Sequence, residues 1–163
     1  MGLFDFGSDS LSDEDLEKID VLNQVKLFEN CAREDLKGVA RHSEFKDAKN
    51  GDVVIKQGDR GQGMYMIDSG VYNVTLGDDS GETVATFEAG DYFGEMALLE
   101  DKERSANVIC KEPGRLLCLA KDGFFELLSD APKTAGKVLF VLSRTLSRRL
   151  RDTNRKLREA REE

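Results

Sequence analysis

Gly90-Asp91-Tyr92-Phe93-Gly94-Glu95-Met96-Ala97-Leu98-Leu99-Glu100-Asp101-Lys102-Glu103-Arg104-Ser105-Ala106-Asn107-Val108 is the stretch on which the reading of this chain turns. It reads as a pocket for one small anion. Gly90-Asp91 is a turn signal, and Gly94 is open to a backbone conformation that other residues avoid, so the amides after it can approach a ligand closely. Met96-Ala97-Leu98-Leu99 are helix formers, and the unpaired N–H groups of a first helical turn attract negative charge. Arg104 lies nine residues beyond Glu95, where the chain re-enters a strand over Ala106-Asn107-Val108-Ile109-Cys110. From there it can fold back over the helix start, and its planar fork of donors suits a phosphate.

Glu95 narrows the kind of phosphate. A carboxylate beside an anion repels it unless the carboxylate accepts a hydrogen bond from a neighbouring hydroxyl. A sugar phosphate supplies that hydroxyl and free phosphate does not, so the residues point to a small nucleotide.

Phe93-Gly94-Glu95-Met96-Ala97-Leu98 followed by Arg104-Ser105-Ala106-Asn107-Val108 resembles the phosphate-binding cassette of cyclic-nucleotide-binding domains. Such domains occur in bacterial catabolite activator proteins, cyclic-nucleotide-dependent kinases and gated channels, and the Glu-to-Arg spacing is that of the kinase type. The resemblance continues upstream through Gly51-Asp52-Val53-Val54-Ile55-Lys56-Gln57-Gly58-Asp59 and Met64-Tyr65-Met66-Ile67-Asp68-Ser69-Gly70, so it covers roughly residues 20 to 160. It implies that Arg104 pairs with the cyclic phosphate and that Glu95 takes the ribose 2′-hydroxyl. It also implies that the Met96 and Ala97 amides, with Gly94 and the Ser105 hydroxyl, complete the cradle, and it puts Val84 among the ligand contacts. The alternative reading of Glu95 and Arg104 is a plain ion pair in a ligand-free barrel.

At 163 residues, with 39% hydrophobic and 34% charged side chains, the chain suits one soluble globular domain. No apolar run approaches a membrane span and the N-terminus lacks the order of a signal peptide, so the expected location is cytoplasmic, with no membrane partner. Myristoylation at Gly2 is not expected, because Phe6 stands where that motif wants Ser or Thr. Cys31, Cys110 and Cys118 lack metal-ligand spacing and read as buried thiols. With one histidine, His42, they argue against a haem or iron–sulfur sensor. The net charge of −8 hides an asymmetry: residues 131–163 hold ten Lys and Arg against four acids, leaving −14 on residues 1–130. An acidic body does not suit nucleic acid, and the basic tail reads as the solvated face of a helix.

Along the chain, residues 1–15 read as an N-terminal arm in which Phe4 and Phe6 are candidates to dock on the body, ending near a capping box formed by Ser12 and Asp15. Residues 16–50 read as helices: Leu16, Ile19, Leu22 and Val25 recur at helical spacing, and a second helical stretch runs from Asp35 to Phe45. Residues 51–120 read as a β-roll of short apolar runs, Val53–Ile55, Met64–Ile67, Val71–Leu76, Thr83–Phe87, Ala106–Cys110 and Leu116–Leu119, separated by glycine turns. The expected class is mainly β (α+β), and the resemblance selects a jelly-roll β-barrel interrupted by the cassette helix. Residues 121–163 read as C-terminal helices, Lys121–Leu128 and a long one from about Lys133 to Ala160.

The long helix carries Leu139, Leu142, Leu146, Leu150, Thr153, Leu157 and Ala160 on one stripe, with a stutter at its consecutive steps of four. A small barrel cannot bury all of that stripe, so a homodimer through this helix is expected. Arg148-Arg149-Leu150-Arg151-Asp152-Thr153-Asn154 resembles the activator segment that reads adenine across the dimer. The resemblance implies that Thr153 contacts the base, that Asn154 stands where the partner subunit's serine reaches in, and that Arg149 lies near the ribose and Glu95. The alternative for Thr153 is a polar residue that tunes register at the seam.

These readings converge on a stand-alone cyclic-nucleotide sensor that needs no cofactor or metal and changes conformation to signal to a protein effector. No nucleophile–base pair, metal site or Walker loop is present, so no enzyme activity is expected. Activators carry a helix-turn-helix after the long helix, whereas this sequence ends at Glu163, so direct operator binding is not expected. Cyclic AMP is the first choice of ligand. Cyclic GMP is the alternative, because the Arg104–Val108 segment also resembles the cassette of cyclic-GMP-dependent kinases and Ser105 does not decide between them. A ligand-independent dimeric scaffold is the reading from another class.

Overall fold

The expected Ser12–Asp15 capping box forms. In a computed structural model describing residues 10–77 and 81–162, Ser12 Oγ accepts from Asp15 N at 3.1 Å and Asp15 Oδ2 accepts from Ser12 N at 3.2 Å. Helix α1 (Asp13–Gln24) therefore starts inside the stretch read as an arm, and it buries Ile19 and Leu22 completely. The proposed docking of Phe4 and Phe6 lies outside the described residues. A single 3₁₀ turn, Lys26–Phe28, leads to α2 (Arg33–Arg41).

One expectation is corrected here. The stretch Asp35 to Phe45 does not stay helical: α2 stops at Arg41, and Ser43–Ala48 forms strand β1. The sequence hides this strand because Glu44, Lys46 and Asp47 face solvent and leave no apolar run. Its partner fixes it, since β1 pairs antiparallel with β8 (Gly114–Ala120) from Ser43↔Leu119 to Ala48↔Gly114. Charged side chains on an edge strand also discourage pairing with a foreign strand.

The other strands are β2 (Val53–Ile55), β3 (Gly63–Ile67), β4 (Val71–Thr75), β5 (Thr83–Phe87), β6 (Tyr92–Phe93) and β7 (Asn107–Glu112). They form two four-stranded antiparallel sheets, ordered β1-β8-β3-β6 and β2-β7-β4-β5. The interleaving is that of a roll, but no ladder among the described residues joins the edges, so the expected closed barrel is an open pair of sheets. The class is also corrected: helices hold more residues than strands, and the fold is mixed rather than mainly β.

The two central strands of the first sheet, β3 and β8, are largely buried on both faces, which explains their unbroken apolar runs. Met64, Met66, Leu117 and Leu119 point to the helices and join a core with Leu22, Phe28, Phe124 and Leu142. Ile67 and Leu116 point the other way and pack with Tyr72, Val108 and Cys110 of the second sheet. Of the three thiols, Cys110 is buried while Cys31 and Cys118 are only partly covered, a departure from the reading of three buried cysteines.

After the sheets come α4 (Lys121–Asp130) and α5 (Pro132–Glu162). His42, at the end of α2, places Nδ1 3.1 Å from a Glu126 carboxylate oxygen on α4. The first half of α5 is spent on the body, with Ala135, Val138 and Leu142 buried. Asp35 clamps it to α2 by accepting from Ala32 N at 2.9 Å, Thr134 Oγ1 at 3.1 Å and Lys137 Nζ at 2.6 Å. Beyond Arg149 the helix is exposed on all sides, and Leu150 and Leu157 are 62% and 53% accessible. The stripe is therefore divided: Leu142 serves the chain's own core and Leu150 and Leu157 do not. Among the described residues no helix is long and apolar enough to cross a membrane.

Candidate functional site

The site begins where β6 ends. Gly94 adopts φ +77°, a conformation that L side chains rarely take, and an added Cβ would lie 2.9 Å from Arg104 Nη1 and 3.1 Å from Ile55 Cδ1. The turn drives Glu95 inward, leaving it 4% exposed at the start of the short helix α3 (Met96–Leu99). The first turn is partly self-satisfied, since Ala97 N–H donates to Gly94 O at 3.2 Å and Leu98 N–H to Glu95 O at 3.0 Å.

Arg104 is fixed through its backbone before its side chain acts. Its N–H donates to Asp59 O at 2.7 Å, and its carbonyl accepts from Gly58 N at 2.9 Å, tying the cassette to the turn after β2. The guanidinium then spans the cassette, donating from Nη1 to Gly94 O at 2.9 Å and from Nη2 to Gly63 O at 2.6 Å. Gly61 makes room for it, because a Cβ there would meet the Ala97 Cβ at 2.5 Å and Arg104 Cζ at 3.1 Å. Burial is the main influence on Arg104 and lowers its affinity for its proton, while Glu95 is among the weaker influences that raise it.

Glu95 and Arg104 do not pair with each other. The Glu95 carboxylate accepts instead from Nη1 of Arg149 on α5. The cavity thus holds one neutralised acid and one partly buried cation whose partners are two neutral carbonyls. A partly buried cation whose hydrogen bonds go to neutral carbonyls attracts an anion, and the donors of the fork not used on those carbonyls can serve it.

The cavity at this cassette measures about 590 Å³, within the range of small-molecule sites. Its apolar wall includes Ile55, Val74 and Val108 from the second sheet, together with Phe87 and Phe93. The two phenyl rings stack at 5.9 Å with planes 19° apart, and Phe93 also stacks on Tyr65 at 5.4 Å.

Gly94, Glu95, Met96, Ala97, Arg104, Ser105 and Arg149, all singled out from the sequence, line this cavity together. Val84 does not: it is 53% exposed, while its neighbours Ala85 and Phe87 line the cavity. Side chains alternate across a strand, so Ala85 and Phe87 of β5 face the cavity and Val84 faces away. Thr153 and Asn154 also lie outside the cavity on the exposed part of α5, Thr153 one helical turn beyond Arg149. Gly61 and the aromatic wall were not anticipated. The period-two alternation of β5, read from the cassette outward, carries the signal for Phe87, whereas Gly61 sits in a turn with no pattern of its own.

The family model described as cyclic nucleotide-binding domain matches residues 45–131. Over 116 residues the chain is 31% identical to the cGMP-dependent protein kinase egl-4 of Caenorhabditis briggsae, a match covering 69% of this chain and 16% of that one. Over 78 residues it is 46% identical to the cAMP-dependent protein kinase regulatory subunit of Yarrowia lipolytica, covering 48% of this chain and 20% of that one. The chain therefore spans about a fifth of the length of these curated relatives. Its fold is similar to the crystal structure of a cyclic nucleotide-binding domain from Methylobacillus flagellatus, with a TM-score of 0.73, 27% identity, and coverage of 87% of this chain and 81% of that one.

Proposed function

The chain belongs to the cyclic nucleotide-binding domain family, and from that premise we propose that it is a cytoplasmic, non-catalytic sensor that binds cyclic AMP and passes the binding event to a protein effector. The observation that carries this reading is Arg104, a partly buried cation held by the carbonyls of Gly63 and Gly94 and facing a nucleotide-sized cavity. The cyclic phosphate accepts from Arg104 and from the Ser105 hydroxyl, with the Met96 amide and the open backbone at Gly94 beside it. The ribose 2′-hydroxyl donates to Glu95, whose other partner is Arg149. The purine lies along the wall of Phe87 and Val74.

Glu95 gives the signal its route. A ligand that shares Glu95 with Arg149 changes the free energy of the contact between the cassette and α5, and so biases the position of the helix. The exposed leucines beyond Arg149 support a homodimer through this helix, which the effector reads together with the ligand state.

Base choice rests on α5. Thr153 follows Arg149 by one turn, and its hydroxyl can both donate and accept, as adenine's amino group and ring nitrogen require. Cyclic GMP is the second reading, supported by the resemblance to a cGMP-dependent kinase and by Ser105 at the cavity. Calorimetry with both nucleotides on the parent chain and on Thr153→Val tests it. Tighter binding of cyclic AMP, selectively weakened by about 1–3 kcal/mol in the variant, is expected. Equal losses for both nucleotides return Thr153 to the helix seam, and no heat with either nucleotide leaves the scaffold reading.

A further inference from the structure

The arginines of α5 recur in register. Arg144, Arg148, Arg151, Arg155 and Arg158 follow at steps of four, three, four and three, so they form one exposed stripe along roughly 21 Å of helix. The stripe lies roughly 140° around the axis from Leu146, Leu150 and Leu157, on the side turned away from the apolar seam. Arg155 is matched to Asp152 at 3.4 Å and to Glu159 at 4.0 Å, and Arg151 donates to Ser147 Oγ at 3.0 Å. Among the described residues Arg144, Arg148 and Arg158 have no ion-pair partner.

Two ordinary reasons for such charge do not cover the stripe. Basic side chains favour the last turn of a helix, where carbonyls are unpaired, but that benefit stops short of Arg144, Arg148 and Arg151. A merely solvated face is served by alternating signs, whereas arginines three and four apart repel one another and weaken the helix that carries them. A row of like charges held in register is stabilised by a matching row of opposite charge.

The surroundings select the kind of row. Residues 1–130 carry −14, so an extended polyanion laid over the stripe also meets the acidic body. The apolar side chains that a bilayer would take up, Leu150 and Leu157, point away from the stripe. An acidic helix lies along α5 alone, its carboxylates recur at the same three- and four-residue steps, and each guanidinium can give a carboxylate two donors. Phe140, one turn before Arg144, is 64% exposed and forms the apolar side of a cavity of about 770 Å³ with Phe87 and Tyr92. Glu29 and Asp91 line the same cavity, Asp91 being held by Lys26 at 2.6 Å. These acids repel a carboxylate placed inside and leave the cavity to an apolar side chain, which gives the partner a direction. We propose that the arginine stripe of α5 docks an acidic amphipathic helix of a partner protein, with carboxylates on Arg144, Arg148 and Arg158 and an apolar residue at one end against Phe140.

Arg149 follows Arg148 on the helix and holds Glu95 of the cassette, so a partner on the stripe bears on the turn of α5 that the nucleotide also touches. That this partner is the effector of the nucleotide signal rests on the sensor reading; the docking itself does not.

Fluorescence anisotropy on the full chain tests the docking, with a dye-labelled synthetic helix that carries a terminal phenylalanine and glutamates at alternating steps of three and four. A peptide of the same composition with its glutamates out of register is the comparison. Saturable binding is expected, weakened about tenfold for the out-of-register peptide and about tenfold in the chain carrying Arg144→Gln, Arg148→Gln and Arg158→Gln. Lys111→Gln with Lys156→Gln and Arg161→Gln removes the same charge off the stripe and should bind the peptide as the parent does. Absence of saturable binding overturns the proposal, as does equal binding of the two peptides or equal weakening by the two triple variants. A single-stranded RNA oligomer or a phosphatidylserine vesicle that binds the parent more tightly than the peptide, and loses that binding in the stripe variant, also overturns it. Saturating cyclic AMP then tests the effector role: a changed peptide affinity supports it, and an unchanged one overturns that role and leaves the docking standing. If cyclic AMP does not bind at all, the sensor reading fails while the peptide comparison still judges the docking.

Discussion

Arg149 on α5 donates to the carboxylate of Glu95 on the cassette, with the Glu95 side chain 5% exposed and that of Arg149 49% exposed. The pair is one-sided: the acid is sealed in and the base is half in water. Arg149→Ala therefore strands a desolvated carboxylate. Solvent access to the arginine side keeps the loss moderate, about 1–3 kcal/mol in urea unfolding of the ligand-free chain. A cycle with Glu95→Gln tests the cause, since the double variant should lose less than the sum of the singles. Strict additivity would mean that the two side chains do not act on each other.

Gly94→Ala meets two obstacles at once. The φ of +77° disfavours any Cβ by about 1–2 kcal/mol, and the new atom crowds Arg104 Nη1 at 2.9 Å. Thermal unfolding should show the stability loss, and nucleotide affinity should fall because Arg104 is displaced. A variant as stable as the parent would show that the cassette turn relaxes freely.

Stability toward acid should depend on Asp35. The hydrogen bond from Lys137 is the main cause holding its carboxyl below the usual range, with the Ala32 N–H and Thr134 hydroxyl adding to it and burial opposing. A depressed carboxylate contributes stability above its unfolded value near ~3.9 and loses it as pH falls through the lower folded value. Asp35→Asn should therefore flatten the acid side of the stability–pH curve and leave its shape above neutrality little changed. An unaltered acid limb in the variant would refute the clamp between α2 and α5.

How much of this was legible in the sequence follows the strength of local patterns. The cassette announced itself because glycine, acid and arginine must keep fixed spacing to meet, and Gly94, Glu95, Arg104 and Arg149 do line one cavity. Strand β1 was invisible because Glu44, Lys46 and Asp47 break any apolar run and only its partner β8 makes it a strand. Val84 lies outside that cavity while its neighbour Ala85 lines it, because one step along a strand exchanges one face for the other. The leucine stripe of α5 was read correctly as a helix, but periodicity cannot say which of its turns the chain's own core consumes. Here Leu142 is consumed, while Leu150 and Leu157 are left exposed.

That division sets the expectation for assembly. Leu150→Asp with Leu157→Asp should leave fold stability within roughly 0.5 kcal/mol, because neither side chain is buried in the chain itself. The same change should convert a dimer to a monomer in light scattering. A parent chain that scatters as a monomer with and without nucleotide would remove the dimer from the account.

The central claim is that Arg104 holds a cyclic nucleotide phosphate, and isothermal titration of the parent chain and Arg104→Ala with cyclic AMP, side by side, tests it most directly. The account predicts saturable binding of one nucleotide per parent chain. The variant should remain folded by circular dichroism and lose about 2–5 kcal/mol of binding free energy, the cost of truncating one partner of a buried charged contact. A folded variant that binds cyclic AMP as tightly as the parent would contradict it.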